Sequence, residues 1–326
     1  MATYRARQLH GLSQWLPRGP AAGRGLRGRT AMPRSTWKAL PVAARTAIER
    51  ETGHVHSSAL PDAGRNSDFS ATLHTETGTI FCKGIADADG KRGRMHRHEA
   101  AVNRVLPREV APRLLWHVEA DGWLLLGFEH SPGHHVDLSP GSTDLGPVRD
   151  VVTTMAAGLS TVSVDAPSLA EQWARLAAWR RLAKDTPDDL DPWARDHLDE
   201  LTSWETTAVE HVAGSTLAHT DLHALNLLSN DGKIQIVDWA WSRNANVAVD
   251  PAFLVTRLIE AGHDPAAAET WAEQVPFWQQ TPAETKTALA VAIWGIWEYL
   301  ERHQPLAHRA ALTAAARSWA RFRLDL

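Results

Sequence analysis

A chain of 326 residues is too long for one small core and long enough for two. Apolar residues make up 44% and charged residues 22%, an ordinary globular composition, and a net charge of −4 gives no electrostatic support to a nucleic-acid partner. The single cysteine, Cys82, excludes an intramolecular disulfide and fits a reducing, cytoplasmic setting.

Residues 1–31 carry many arginines and no acidic residue but lack the apolar core of a secretory signal. They read as a disordered leader, with Met32 an alternative start; an organellar transit peptide has a similar look. Residues 37–52 are alanine-rich and helical, with Gly53 as the stop, and 57–68 have loop composition. Residues 69–75 and 78–84 read as a β-hairpin around Glu76-Thr77-Gly78. Lys83 lies inside its second strand, on one face with Phe81 and Ile85, where a solvated charge is out of place. A helical pattern over 98–106 contains Glu99 and is closed by Pro107. Two further strands, 111–116 and 123–128, flank Glu119-Ala120-Asp121-Gly122, and 128–133 then link to the rest of the chain. His134, His135 and Asp137 follow; without further ligands at regular spacing they read as solvated polar residues, not a metal site. Residues 146–182 are helical with a break near 165–167, and 192–213 form another helix. Trp173 and Trp179 fall at core spacing.

The densest chemistry lies at 217–241. His219, Asp221 and Asn226 have the form HxDxxxxN, and two short strands joined by Asn230-Asp231-Gly232 return the chain so that Asp238 comes back beside Asn226. One carboxylate and one amide converging in this way suit a hard cation, typically Mg²⁺, and leave Asp221 for proton transfer. Beyond it, Val249-Asp250-Pro251-Ala252 has the form of a helix start with Asp250 as N-cap, and further helices begin at Asp264-Pro265 and Thr281-Pro282. The apolar run 288–297 is about half of the roughly 20 residues that span a bilayer, so it reads as a buried helix and no membrane association is expected.

The 219–238 segment resembles the catalytic and metal-binding loops of the aminoglycoside phosphotransferase family, relatives of the protein kinases. The resemblance implies an α+β, two-lobed protein-kinase-like fold, with a small β-rich N-lobe at 32–128 and a larger helical C-lobe at 129–326. It implies Asp221 as catalytic base, Asn226 and Asp238 as Mg²⁺ ligands, and His219 as a brace of the loop. Lys83 and Glu99 would be the pair that grips the α and β phosphates of ATP or GTP. The loop 64–68, with Asn66 and Ser67, would cover the phosphates, and the hinge at Glu129 would meet the adenine through its backbone. Asp250 would brace the catalytic loop as well as cap its helix. Trp239-Ala240 after Asp238, and the lack of an arginine before Asp221, depart from the protein-kinase form and point to a small hydroxyl-bearing acceptor. Glu260, Asp264, Glu269 and Glu273 are candidates to hold a cationic, aminoglycoside-like acceptor, a solvated helix face being their other reading. Two rival readings stand beside this one: a metal-dependent hydrolase built on His219, Asp221 and His223, and a nucleotide-binding pseudokinase suggested by the glycine-poor loop.

Overall fold

The computed structural model describes residues 35–61, 67–160, 162 and 164–326; the leader and residues 62–66, Asn66 among them, lie outside these. The described chain divides into two compact units: residues up to 136 together with 224–242, and 137–223 together with 243–326. This differs from a single cut at 128/129, and hydrogen bonding supplies the reason. His134–His135 pairs with the strand Leu227–Asn230, and Ile236 N–H donates to Val110 O at 2.7 Å, so the 227–236 hairpin is stitched to the N-terminal part.

In the first unit, α1 (Val42–Thr52) follows a single 3₁₀ turn, Trp37–Ala39. The expected helix over 37–52 is split because Pro41 holds Leu40 extended. Five antiparallel strands form one sheet in the order β1-β2-β3-β5-β4: β1 (Val55–Ala59), β2 (Phe69–Thr75), β3 (Gly78–Ile85), β4 (Leu114–Ala120) and β5 (Trp123–Glu129). Alternation along the strands sorts their side chains into two clusters. Leu73, Cys82 and Leu125 pack with Ala44 and Ile48 of α1, while Phe81, Leu124, Leu126 and Phe128 pack with Ala100 of α2 (Lys91–Asn103). The helix α2 starts well before the expected 98, because its first turns are polar and glycine-bearing and show no apolar period. The 227–236 hairpin turns through Asp231 (φ 50°) and Gly232 (φ 75°), the left-handed pair that a type I′ turn requires.

The second unit is helical. Its elements are α3 (Leu145–Leu159), α4 (Leu169–Leu176), α5 (Ala178–Asp185), α6 (Pro192–Asp196), α7 (Leu198–His211), α8 (Val249–Glu260), α9 (Pro265–Ala272), α10 (Pro276–Gln279), α11 (Ala283–His303) and α12 (Arg309–Arg323). A two-stranded ribbon, Thr216–Ala218 with Arg243–Ala245, brackets the loop that begins at His219. Trp179, Trp278, Trp294 and Trp319 are fully buried, which accounts for part of a content of 15 tryptophans as packing. Gly295 on α11 lets the Trp179 ring approach: a Cβ there would lie 2.4 Å from the indole nitrogen, which donates to Val291 O at 2.8 Å. No helix among the described residues is long and apolar enough to cross a membrane.

Candidate active site

Within the first unit, pleating turns Lys83 of β3 toward α2, where the residue is only 6% exposed. Lys83 Nζ lies 2.6 Å from Glu99 Oε1 and 2.5 Å from Oε2, 3.1 Å from Asp238 Oδ1, and 5.5 Å from the centre of the Phe128 ring. Burial alone would lower the lysine, but Asp238 and Glu99 outweigh it and hold the ammonium above its ordinary value. Burial raises Glu99; Lys83 opposes this and the negative charge of Asp238 adds to it. Glu99 Oε1 also accepts Trp239 N–H at 3.2 Å, so one carboxylate holds both the strand lysine and the segment that carries Asp238. His98, its neighbour on α2, adds a second tie, with Nε2 2.9 Å from Ser242 Oγ.

Asn226 ends a 3₁₀ turn, Ala224–Asn226, and is 6% exposed. Its carbonyl accepts Val237 N–H at 2.9 Å, which closes the base of the hairpin and brings the segments bearing Asn226 and Asp238 side by side. Asp238 is left-handed, with φ 65°, a conformation that an aspartate adopts more readily than most residues. One amide and one carboxylate are oxygen donors of the kind a small hard cation takes, and the Asp238 side chain is 29% exposed. Ser67, at the edge of the phosphate-loop candidate, is hydrogen-bonded to His96 Nε2 at 3.2 Å. Burial and then the charge of Lys83 hold His96 down at about 4, so its ring is neutral at pH 7. No pattern in the sequence singles out His96; its place three residues before Glu99, on the same helix face, was the available signal. The Glu129 side chain accepts Arg113 N–H at 3.1 Å, which leaves its expected part at the hinge to the backbone. His134 and His135 are exposed strand residues.

Within the second unit, the loop after Thr216–Ala218 carries His219, Thr220 and Asp221. His219 is fully buried and its Nδ1 accepts Asp221 N–H at 3.2 Å. Thr220 is left-handed, with φ 64°, unusual for a β-branched residue. The loop is held in this shape from outside. Asp250 Oδ2 accepts His219 N–H and Oδ1 accepts Thr220 N–H, each at 2.8 Å. The expected N-cap role of Asp250 is therefore corrected: α8 begins at Val249 with Ala248 before it, and the Asp250 carboxylate is spent on the loop. Burial pushes Asp250 up to about 6, against the pull of its two N–H bonds. The Asp221 carboxylate is 33% exposed and lies 3.8 Å from His223 Nε2. The hydrolase alternative calls for a ligand cluster at His219, Asp221 and His223. Among the described residues no three His, Cys, Asp or Glu side chains gather to hold a metal.

The acidic residues expected at an acceptor pocket are engaged elsewhere in this unit. Glu260 pairs with Arg257 at 3.0 Å, Asp264 caps α9 through Ala267 N–H at 2.8 Å, and Glu273 pairs with the buried Lys286 at 2.5 Å. Glu269, 8% exposed, accepts Trp319 Nε1–H at 2.6 Å and pairs with Arg323 at 3.1 Å. Asp137 turns its carboxylate to the Ser139 backbone and hydroxyl, each at 2.8 Å.

No protein-family model matches the sequence, and no curated protein does. Solved structures do match in fold. The aminoglycoside phosphotransferase APH(4)-Ia is 14% identical, with 84% of this chain and 98% of that one covered and a TM-score of 0.59. An aminoglycoside phosphotransferase from Alicyclobacillus acidocaldarius is 14% identical, with 88% and 96% covered and a TM-score of 0.55. The amicoumacin kinase hAmiN, solved with AMP-PNP and Ca²⁺, is 13% identical, with 86% and 93% covered and a TM-score of 0.53. The chain has the fold of the aminoglycoside phosphotransferases, a β-sheet N-terminal part and a helical C-terminal part.

Proposed function

We propose that the protein is a phosphotransferase that moves the γ-phosphoryl group of ATP, or of GTP, to a hydroxyl of a small molecule. The observation that carries this reading is the buried Lys83 shared between Glu99 and Asp238. An ammonium removed from water is kept charged by the two carboxylates. Glu99, 3% exposed, fixes it from within, whereas Asp238, 29% exposed, stands on the solvent side. Phosphate oxygens arriving from that side meet a cation that is already oriented, so little reorganisation is left to the reaction. The AMP-PNP complexes among the structures of like fold support a nucleoside triphosphate as donor.

In this reading Lys83 binds phosphate oxygens, Glu99 orients Lys83, and Asn226 and Asp238 hold Mg²⁺. The metal would offset charge on the phosphates during transfer. Asp221 accepts the proton of the acceptor hydroxyl as its oxygen forms a bond to the γ-phosphorus and the bond to the nucleoside diphosphate breaks. Asp250 and His219 keep the Asp221 loop in shape. A donor made in the cytoplasm and a buried free Cys82 favour a cytoplasmic setting.

An acceptor screen by mass spectrometry tests the reading. Incubation of the wild type with ATP, Mg²⁺ and a panel of hydroxyl-bearing compounds should yield a product heavier by one phosphate, with ADP formed in equal amount. A protein that binds no nucleotide in the presence of Mg²⁺ sinks it.

A further inference from the structure

The face of α2 that carries Glu99 also carries Arg92 and His96, spaced i, i+4 and i+7. Arg92 Nη1 donates to Asp68 Oδ1 at 2.8 Å, and Asp68 Oδ2 accepts Ala86 N–H at 3.0 Å. His96 Nδ1 lies 2.9 Å from the Arg92 carbonyl, and Nε2 lies 3.2 Å from Ser67 Oγ. A carbonyl oxygen can only accept, so Nδ1 carries the proton and Nε2 of the neutral ring presents a lone pair. The Ser67 hydroxyl must therefore donate to Nε2. A hydroxyl has one hydrogen, and this one is committed. The Ser67 backbone N–H makes no hydrogen bond among the described residues.

We propose that His96 is a positioning residue for the nucleotide's phosphates: by taking the Ser67 hydroxyl proton it holds Ser67 so that the backbone N–H, not the hydroxyl, is the anion donor. The inference rests on the phosphotransfer reading and adds to it a division of labour along α2. Arg92 holds Asp68, His96 holds Ser67, and Glu99 holds Lys83.

Affinity for a non-hydrolysable ATP analogue with Mg²⁺, measured by calorimetry, tests this on the full chain. His96→Leu and Ser67→Ala should each weaken binding roughly threefold to tenfold, the worth of one hydrogen bond. The double variant should be no weaker than either single, because both remove the same bond. In His96→Gln the amide oxygen can take the hydroxyl proton, so affinity should return to near the wild-type value. Nitrogen-15 shifts of the His96 ring supply a readout that needs no nucleotide: Nε2 should be unprotonated in the wild type and should shift in Ser67→Ala. A protonated Nε2, additive losses, or a loss in Ser67→Ala without one in His96→Leu would overturn the proposal. A wild type that binds no analogue would instead remove the phosphotransfer reading, and this inference with it.

Discussion

At the scale of single residues, Asp221 and Lys83 have separable tasks and their variants should fail differently. A general base contributes about 10²–10⁴-fold, so Asp221→Asn should lower kcat by that order while calorimetry finds nucleotide affinity unchanged. Near-normal turnover in a folded Asp221→Asn protein would remove the base assignment. Lys83 is buried between two carboxylates, and breaking such a pair from one side leaves an uncompensated charge, at a cost of about 3–5 kcal/mol. Lys83→Met should therefore unfold at clearly lower denaturant. Lys83→Met combined with Glu99→Gln should recover part of the loss, since the orphaned carboxylate is then gone. A double variant less stable than the single would mean that Glu99 matters through Trp239 N–H more than through Lys83. The Lys83 and Glu99 pair was legible because a lysine inside an apolar strand is out of place, and the resemblance to the phosphotransferase family pairs such a lysine with a helix glutamate. The pairing of His96 with Ser67 was not legible, since a buried histidine with satisfied nitrogens leaves no periodic trace.

At the scale of elements, the loop at 219–221 borrows its shape from α8. Its left-handed Thr220 persists because Asp250 accepts the N–H groups of His219 and of Thr220 itself. The aspartate before Pro251 looked like a helix cap because capping is a local pattern; the loop it braces lies about thirty residues earlier and leaves no mark on that pattern. Strand β1 was missed for a related reason: only Val55 of its five residues is buried, so backbone pairing with β2 forms it without an apolar signature. The 227–236 hairpin was plain, because its turn chemistry and its alternation agree. A pH dependence follows from the brace. The folded-state value of Asp250, near 6, stands above the ordinary 3.8, so between these limits the folded state binds more protons than the unfolded one. Stability due to this group therefore falls as pH rises from about 4 to about 6, and is flat on either side. Asp250→Asn does not titrate. The wild-type unfolding free energy minus that of the variant, from denaturant melts across this range, should decline with rising pH. A difference that rises instead would mean that the two N–H bonds outweigh burial and hold the carboxylate ionised.

At the scale of the whole chain, the small net charge of −4 leaves little long-range field. The distribution inside the helical unit decides what kind of acceptor charge it can reward. Acidic residues on the helices after the catalytic loop suggested a pocket for a polycation, since sequence alone cannot tell a carboxylate aimed at a ligand from one matched within the fold. The structure matches them: Glu260 with Arg257, Glu269 with Arg323, Glu273 with Lys286, and likewise Glu298 with Arg302 and Asp191 with Arg321. A carboxylate already bound to a guanidinium gains little from a second cation and would have to give up the first. Acceptor binding should then depend weakly on salt. Across a series that shortens the Debye length from roughly 10 Å to about 3 Å, the acceptor KM should change little. Glu260→Gln and Glu273→Gln should leave that KM near the wild-type value, while Glu269→Gln, losing partners at both Trp319 and Arg323, should lower the melting temperature. A steep rise of KM with salt, abolished by one of these substitutions, would restore the carboxylate-lined pocket and with it an aminoglycoside-like acceptor.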